Sequence, residues 1–334
     1  MPKHKVLVTV PQPLRGLIVT DEAWAGLLSA ADVVTNEEGR NWSGEELAAR
    51  LPGVEAIIGS WGMPKLSEEV LAKADALRLI AYAAGSVKGF VTDAVHRRGI
   101  AVSHAAARIA DSVAEYSLLC ALIGLRRPHE FDRKLKAGEP WPKSRDMDLF
   151  EIAGKKVGLL GMGYVGQRSA RLFRAVGAEV WAYDPYLSSE DVARLGVKKV
   201  DLDALLRGCK VISVHLPVTQ ETHHLLGARE LALVQDGAVF INSARSWVVD
   251  QEALLKELSR GRFWAALDVF DQEPLPVDHP LRRLDNVLLT PHVAGLTRDA
   301  YQDLMSDMIA EVLRFFRGEP LLYKIDPEKL EIMA

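Results

Sequence analysis

Cysteine is scarce. Cys120 and Cys209 are the only two in 334 residues, too few and too far apart in sequence for a disulfide framework or a thiolate metal site. Both stand in apolar helical or strand contexts, so buried free thiols in a reducing, cytoplasmic compartment are expected, and no metal. A charge excess of either sign is also missing: 41 Lys and Arg stand against 45 Asp and Glu, with no basic block, which argues against a nucleic-acid partner. No apolar run is long enough to cross a bilayer, and Met1-Pro2-Lys3-His4-Lys5 leads into a short apolar strand rather than a signal-peptide core. A membrane partner is therefore not expected. Tandem repeats and low-complexity tracts are missing as well. What remains is a composition that is 49% hydrophobic and 26% charged, ordinary for a globular protein, in a chain long enough for two domains.

The most informative stretch is Lys156-Val157-Gly158-Leu159-Leu160-Gly161-Met162-Gly163-Tyr164-Val165-Gly166. An apolar run of strand length leads into G-x-G-x-x-G, and Ala170, Leu172, Phe173 and Val176 then recur at helical spacing. Strand, glycine turn and helix in that order predict a dinucleotide-binding βα unit. Gly161 would permit the tight turn, Gly163 the approach of a pyrophosphate, and Gly166 the close packing of helix on strand. The helix N-terminus would offer unpaired N–H groups and a partial positive charge to the phosphates. A second strand, Glu179-Val180-Trp181-Ala182-Tyr183, ends in Asp184, placed to bind ribose hydroxyls. Pro185, Tyr186 and Leu187 follow, with no cation for a 2′-phosphate, so NAD is expected rather than NADP.

Strand and helix patterns alternate from Val6-Leu7-Val8-Thr9-Val10 to about residue 105, and the alternation restarts at Lys156. Short strands are expected at Val33-Val34, Val54–Gly59 and Leu77–Ala83, helices over 21–30 and 67–74, and a capping box at Ser43-Gly44-Glu45-Glu46. A long helix is expected from Ile109, with Val113, Tyr116, Leu119 and Cys120 on one face and a break at Pro128. In the second half, strands are expected near 157–161, 179–184, 210–215, 238–242, 264–269 and 286–290. One long amphipathic helix, Thr297 to Phe316, ends the pattern. The fold class is α/β. A doubly wound dinucleotide-binding domain, 107–295, is inserted into a second Rossmann-like, flavodoxin-like domain made of 1–106 and 296–334.

In such sheets ligands sit beyond the carboxyl ends of the strands. Beyond those ends in the second domain lie the glycine loop, Asp184, His215-Leu216-Pro217-Val218-Thr219, Asn242-Ser243-Ala244-Arg245, Asp268 with Glu273-Pro274, and Thr290-Pro291-His292. An arginine, two carboxylates and a histidine on one edge suit hydride transfer to an anionic carbonyl compound. Each has a plainer reading. Arg245 and Glu273 would be surface charges and His292 a core histidine, and Trp181, Trp247 and Trp264 are read as packing residues. His215 stands between the two readings because it ends a strand beside the cofactor edge.

With these motifs in order, the chain resembles the D-isomer-specific 2-hydroxyacid dehydrogenases, the family of phosphoglycerate dehydrogenase and glyoxylate/hydroxypyruvate reductase. The likeness runs through Asp111-Ser112-Val113-Ala114-Glu115, the glycine loop, His215-Leu216-Pro217 through Thr222, Asn242-Ser243-Ala244-Arg245, Asp268-Val269-Phe270 through Glu273-Pro274, and Thr290-Pro291-His292-Val293-Ala294-Gly295. It implies an NAD-dependent oxidoreductase acting on a small 2-hydroxy or 2-oxo acid. Arg245 would bind the substrate carboxylate, His292 would be the acid/base, and Glu273 would hold the imidazole and favour its charged form. Tyr164, Val165, Leu216, Pro217, Thr222, Ser243, Ala244 and Gly295 would line the cofactor, with Asp268 on its nicotinamide side. Gly85 and Ser86 would present backbone groups to the substrate.

A homodimer is expected, with an arm spanning about 118–150, and no C-terminal regulatory extension. Two departures bear on the substrate. Ser246-Trp247 follows the arginine where the family has glycine, and the first-domain loop reads Gly85-Ser86-Val87-Lys88-Gly89. The rival reading is an NAD(H)-gated, corepressor-like binding protein, because the same fold serves that role.

Overall fold

Short apolar runs become parallel strands when helices cover both faces of a sheet, and that happens twice along this chain. The computed structural model describes residues 3–143 and 148–332. Its contacts divide it into two units, Met1–Ile109 with Leu296–Ala334 and Ala110–Gly295, so the division falls within the helix Ala106–Arg126.

In the first unit, β1 (His4–Val8), β2 (Ala31–Thr35), β3 (Ala56–Gly59), β4 (Leu79–Tyr82) and β5 (Ala101–His104) form a parallel sheet in the order β2-β1-β3-β4-β5. This is the flavodoxin-like order. β2 is longer than its two valines suggest because all five of its residues pair with β1, from His4↔Ala31 to Val8↔Thr35. β3 and β4 are buried along their whole length. On one face, Leu7, Ile57 and Ile80 pack with Leu47, Leu51 and Leu71. On the other, Val6, Val8, Ile58 and Leu79 meet Leu304, Met308 and Val312 of the helix Arg298–Phe316. Each fully buried side chain of this kind contributes about 1.5–3 kcal/mol. The Ser43 capping box forms with both of its hydrogen bonds. The helix expected over 67–74 is a single turn, Glu68–Leu71, capped by Ser67.

In the second unit, β6 (Lys156–Leu160), β7 (Glu179–Tyr183), β8 (Lys198–Lys199), β9 (Val211–Val214), β10 (Val239–Asn242), β11 (Trp264–Leu267) and β12 (Val287–Leu289) pair in the order β12-β11-β10-β9-β6-β7-β8. The two-residue edge strand β8 carries two exposed lysines and no apolar period, so the sequence gives no sign of it. The order reverses between β6 and β9, which makes their carboxyl ends the topological switch point. The helix expected to break at Pro128 does so. Arg127 adopts φ +49°, and a separate helix, Pro128–Lys136, follows. Of the expected arm over 118–150, residues 144–147 lie outside the described residues.

Cys120 and Cys209 are free and buried, and burial pushes their thiols up to about 11 and about 12. Among the described residues no helix is long and apolar enough to cross a membrane.

Candidate active site

The glycine loop leaves β6 at the switch point, and its three glycines are required for different reasons. Gly161 adopts φ +95°, and a Cβ there would lie 2.8 Å from the His215 carbonyl oxygen. A Cβ on Gly166 would lie 2.0 Å from the Gly161 carbonyl oxygen, so the helix can approach β6 only without it. Nothing within 4 Å would meet a Cβ on Gly163. Internal packing therefore explains glycine at 161 and 166 but not at 163.

The helix Tyr164–Ala175 starts at Gly163 with no side-chain cap and no acidic residue in its first turn, a terminus that suits an anion. Gln167 Nε2 donates to the Met162 carbonyl (2.9 Å) and braces the loop. At the end of β7, Asp184 is half-buried, accepting from the Met162 N–H (2.8 Å) and the Tyr186 N–H (2.9 Å). These residues fit a dinucleotide: an open cradle at Gly163, an uncapped helix and a carboxylate at the adjoining strand end. A cavity of about 620 Å³ beside Asp184 is also lined by Pro185, Lys199, Val200 and Asp201. Lys199, from the unforeseen β8, donates to the carbonyls of Leu187 (2.7 Å) and Pro185 (3.4 Å) and so ties down the turn after Asp184.

The other predicted positions line the same sheet edge. Thr222 closes the loop after β9: its hydroxyl donates to the Pro217 carbonyl (2.6 Å) and accepts from the Thr219 N–H (2.8 Å). Leu216 is buried beneath it. His215 is also buried, and neither ring nitrogen has a partner; burial pushes it down to about 3, so it is neutral. Ser243, one strand over, has an unpartnered buried hydroxyl as well.

After β10, Asn242 folds the chain into a tight turn. Its Oδ1 accepts from the Ala244 N–H (3.2 Å), and its Nδ2 donates to the Arg245 carbonyl (3.0 Å). The turn presents Arg245 half-buried, with Nη1 donating to the Ala244 carbonyl (2.7 Å). Burial pulls the guanidinium down from its ordinary value, and the charge of Glu273 opposes that pull. A guanidinium keeps its charge under such a shift and has donors to spare for a carboxylate. Trp247 is not the packing residue expected. It is 47% exposed and stacks on the exposed rings of His223 and His224, at centroid distances of 5.6 and 6.2 Å.

His292 and Glu273 meet: Nδ1 lies 2.8 Å from Oε2, with both side chains partly open to solvent. They line one cavity of about 610 Å³ together with Phe270, Leu275, Arg282 and Pro291. His292 adopts φ +56°, a left-handed conformation that costs a non-glycine residue roughly 1–3 kcal/mol unless its surroundings hold it. Asp268 does the holding. It is fully buried, and its Oδ1 accepts from the Thr290 hydroxyl (2.6 Å) and the Val293 N–H (2.9 Å), while Oδ2 accepts from the Ala294 N–H (2.9 Å). The sequence shows Asp268 as a strand-end carboxylate but not which way it turns. In the sequence Thr290 is legible only as part of the motif that holds His292, and Tyr116 only as one residue of an apolar helix face. Gly295 ends this unit.

In the first unit, Gly85 and Ser86 follow β4, and the Gly85 carbonyl accepts from Nδ1 of buried His104 (2.8 Å). Burial lowers His104 from its ordinary value, which favours the neutral ring. The loop is thus anchored from β5.

Residues 118–294 match the model of the family described as "D-isomer specific 2-hydroxyacid dehydrogenase, NAD binding domain", more than half of the chain. The chain belongs to this family. A D-3-phosphoglycerate dehydrogenase of Archaeoglobus fulgidus is 36% identical over 297 residues, covering 87% of this chain and 56% of the relative. The chain thus spans little more than half the length of that relative. A glyoxylate reductase of Thermofilum pendens is 34% identical and is covered to 97%, with 99% of this chain. Among solved structures, a phosphoglycerate oxidoreductase from Rhizobium etli superposes with a TM-score of 0.81 at 29% identity, covering 97% of this chain and 99% of that one. For this member of the family, the glycine loop and helix of the second unit are those of its NAD-binding domain.

Proposed function

We propose that the chain is an NAD-dependent oxidoreductase that interconverts a small D-2-hydroxy acid and the corresponding 2-oxo acid. The observation that carries this reading is the His292–Glu273 pair, 2.8 Å apart beyond the carboxyl end of the sheet that carries the glycine loop. Nδ1 of His292 is committed to Glu273, which leaves Nε2 as the atom that handles the proton. In the reducing direction the imidazolium gives its Nε2 proton to the substrate oxygen. Glu273 keeps the Nδ1 proton in place, so the neutral ring is left with Nε2 bare and ready to take a proton in the oxidising direction. The bound dinucleotide supplies the hydride for C2 in reduction and accepts it in oxidation. Arg245 binds the substrate carboxylate and polarises the carbonyl.

The preference for NAD over NADP follows from Asp184, whose carboxylate suits ribose hydroxyls and repels a 2′-phosphate, while Lys199 is engaged with backbone carbonyls. Gly85 and Ser86 supply backbone groups for the substrate. A homodimer is supported by apolar side chains exposed along 119–141, among them Leu119, Leu122, Leu135 and Trp141, the last 82% exposed. Two buried free thiols suit a cytoplasmic location.

The test is a panel of 2-oxo acids (glyoxylate, hydroxypyruvate, pyruvate) with NADH, with chiral analysis of the product wherever it carries a stereocentre. Turnover giving the D-isomer supports the proposal. NADH binding without turnover of any of them, together with capture of a protein partner only in the presence of dinucleotide, would favour the corepressor-like reading.

A further inference from the structure

A polar chain behind the His292 loop begins on a helix to which the reaction assigns no role. The Tyr116 hydroxyl, on the helix Ala106–Arg126, lies 2.5 Å from the Thr290 hydroxyl, which lies 2.6 Å from Asp268 Oδ1. Proton counting fixes the direction. Thr290 has one hydroxyl proton and gives it to the carboxylate, so at the first contact Tyr116 donates and Thr290 accepts.

Asp268 is fully buried and accepts three hydrogen bonds, two of them from the N–H groups of Val293 and Ala294. A buried carboxylate depends on its full set of donors. Those two amides are the residues directly after His292, whose left-handed φ of +56° aims the ring at Glu273. We propose that Tyr116 is a positioning residue for His292, acting through Thr290 and Asp268 on the backbone of 290–294. The inference rests on the reading of His292 as the acid/base given above.

A plainer role is available, since Tyr116 also packs against the cluster containing Cys120, Leu159 and Trp264. Its hydroxyl also meets the Cys120 thiol, so the packing role draws on the ring and on that contact, whereas the positioning role needs the hydroxyl at Thr290. Tyr116→Phe removes both hydroxyl contacts and Cys120→Ala only the thiol one, so a defect present in the first and missing from the second belongs to the Thr290 contact. Loosening the loop displaces the acid/base from the reacting oxygen, and misplacement on the ångström scale costs about ten- to a hundredfold in rate.

The expected result for Tyr116→Phe is a kcat lowered by about tenfold or more, with KM for NADH and for the 2-oxo acid held within about twofold. Thr290→Val should show the same defect and Thr290→Ser should recover most of it. The double variant should be no worse than Thr290→Val alone, because the two hydroxyls act in series. Amide hydrogen exchange at Val293 and Ala294 should quicken in Tyr116→Phe. An unchanged kcat with unchanged exchange would overturn the proposal, as would multiplicative defects in the double variant or a defect confined to KM for NADH. Failure of the functional reading looks different: the wild type would turn over no 2-oxo acid. Exchange at Val293 and Ala294 would then decide alone, and unchanged protection in Tyr116→Phe would overturn the proposal there too.

Discussion

The glycine loop makes a prediction in which two similar substitutions have opposite consequences. In Gly166→Ala the new methyl would lie 2.0 Å from the Gly161 carbonyl oxygen, so strand and helix must move apart by more than an ångström. Overpacking of this kind costs about 1–3 kcal/mol, and the helix preference of alanine over glycine offsets about 0.5–1 kcal/mol of it. A net loss of about 1–2 kcal/mol corresponds to roughly 2–8 °C in Tm for a unit of this size. In Gly163→Ala the methyl enters open space at φ −71°, and the ligand-free protein should melt within about 1 °C of wild type.

In the proposed function that same space receives the pyrophosphate. Losing one hydrogen bond to a charged phosphate costs about 1.5–3 kcal/mol, or roughly 10- to 100-fold in Kd. The assay is a thermal melt with and without NADH at one hundred times the wild-type Kd. Wild type should gain about 2.7 kcal/mol of stability, and Gly163→Ala about 1.4 kcal/mol or less. If Gly163→Ala bound NADH as wild type does, or if it unfolded while Gly166→Ala did not, the assignment of the two glycines would be wrong.

Three further outcomes follow from the site. Arg245→Ala should lower kcat/KM on the order of 10²–10³ with NADH binding retained, and Arg245→Lys should recover little of it because a point charge cannot reproduce the bidentate fork; steady-state kinetics on both variants checks this. Asp184→Ala should relax the preference for NADH over NADPH without abolishing turnover, read as the ratio of kcat/KM for the two cofactors. Buried His215, held down to about 3 in the folded chain, has no charge there but gains one on unfolding below pH 6.5. Its contribution is complete above pH 6.5 and declines as pH falls toward 3, by about 1.4 kcal/mol per pH unit. Denaturant melts between pH 7 and pH 5 should therefore show a smaller acid loss in His215→Gln than in wild type.

The legible parts of the chain were those in which one residue type answers one local demand. Gly161 and Gly166 sit where a Cβ would strike backbone, and the strands of both sheets are apolar runs because both faces are covered. Strand-end position makes Arg245 and His292 candidates, whereas Glu273 gains its role only through the family resemblance. What escaped depends on which way a side chain turns or on tertiary pairing. β8 is two lysines whose strand character comes from pairing with β7. Asp268 is legible as a strand-end carboxylate, but its three hydrogen bonds to the His292 loop are not. Tyr116 follows a core periodicity, and only its hydroxyl contact with Thr290, 174 residues away in sequence, distinguishes it. Trp247 reads as an apolar residue to be buried, yet the turn over Ser246–Val248 sets it outward against two histidines.

The central claim is that His292 moves the proton while Glu273 holds its ring. It is tested most directly by kcat/KM against pH in both reaction directions, for wild type and Glu273→Gln. Reduction needs the imidazolium and should lose rate as pH rises, whereas oxidation needs the neutral ring and should gain over the same range. Glu273→Gln keeps an acceptor for Nδ1 but loses the carboxylate that pairs with the imidazolium, so kcat/KM should fall in both directions. Profiles that ran parallel in the two directions, or a Glu273→Gln variant as active as wild type, would contradict the account.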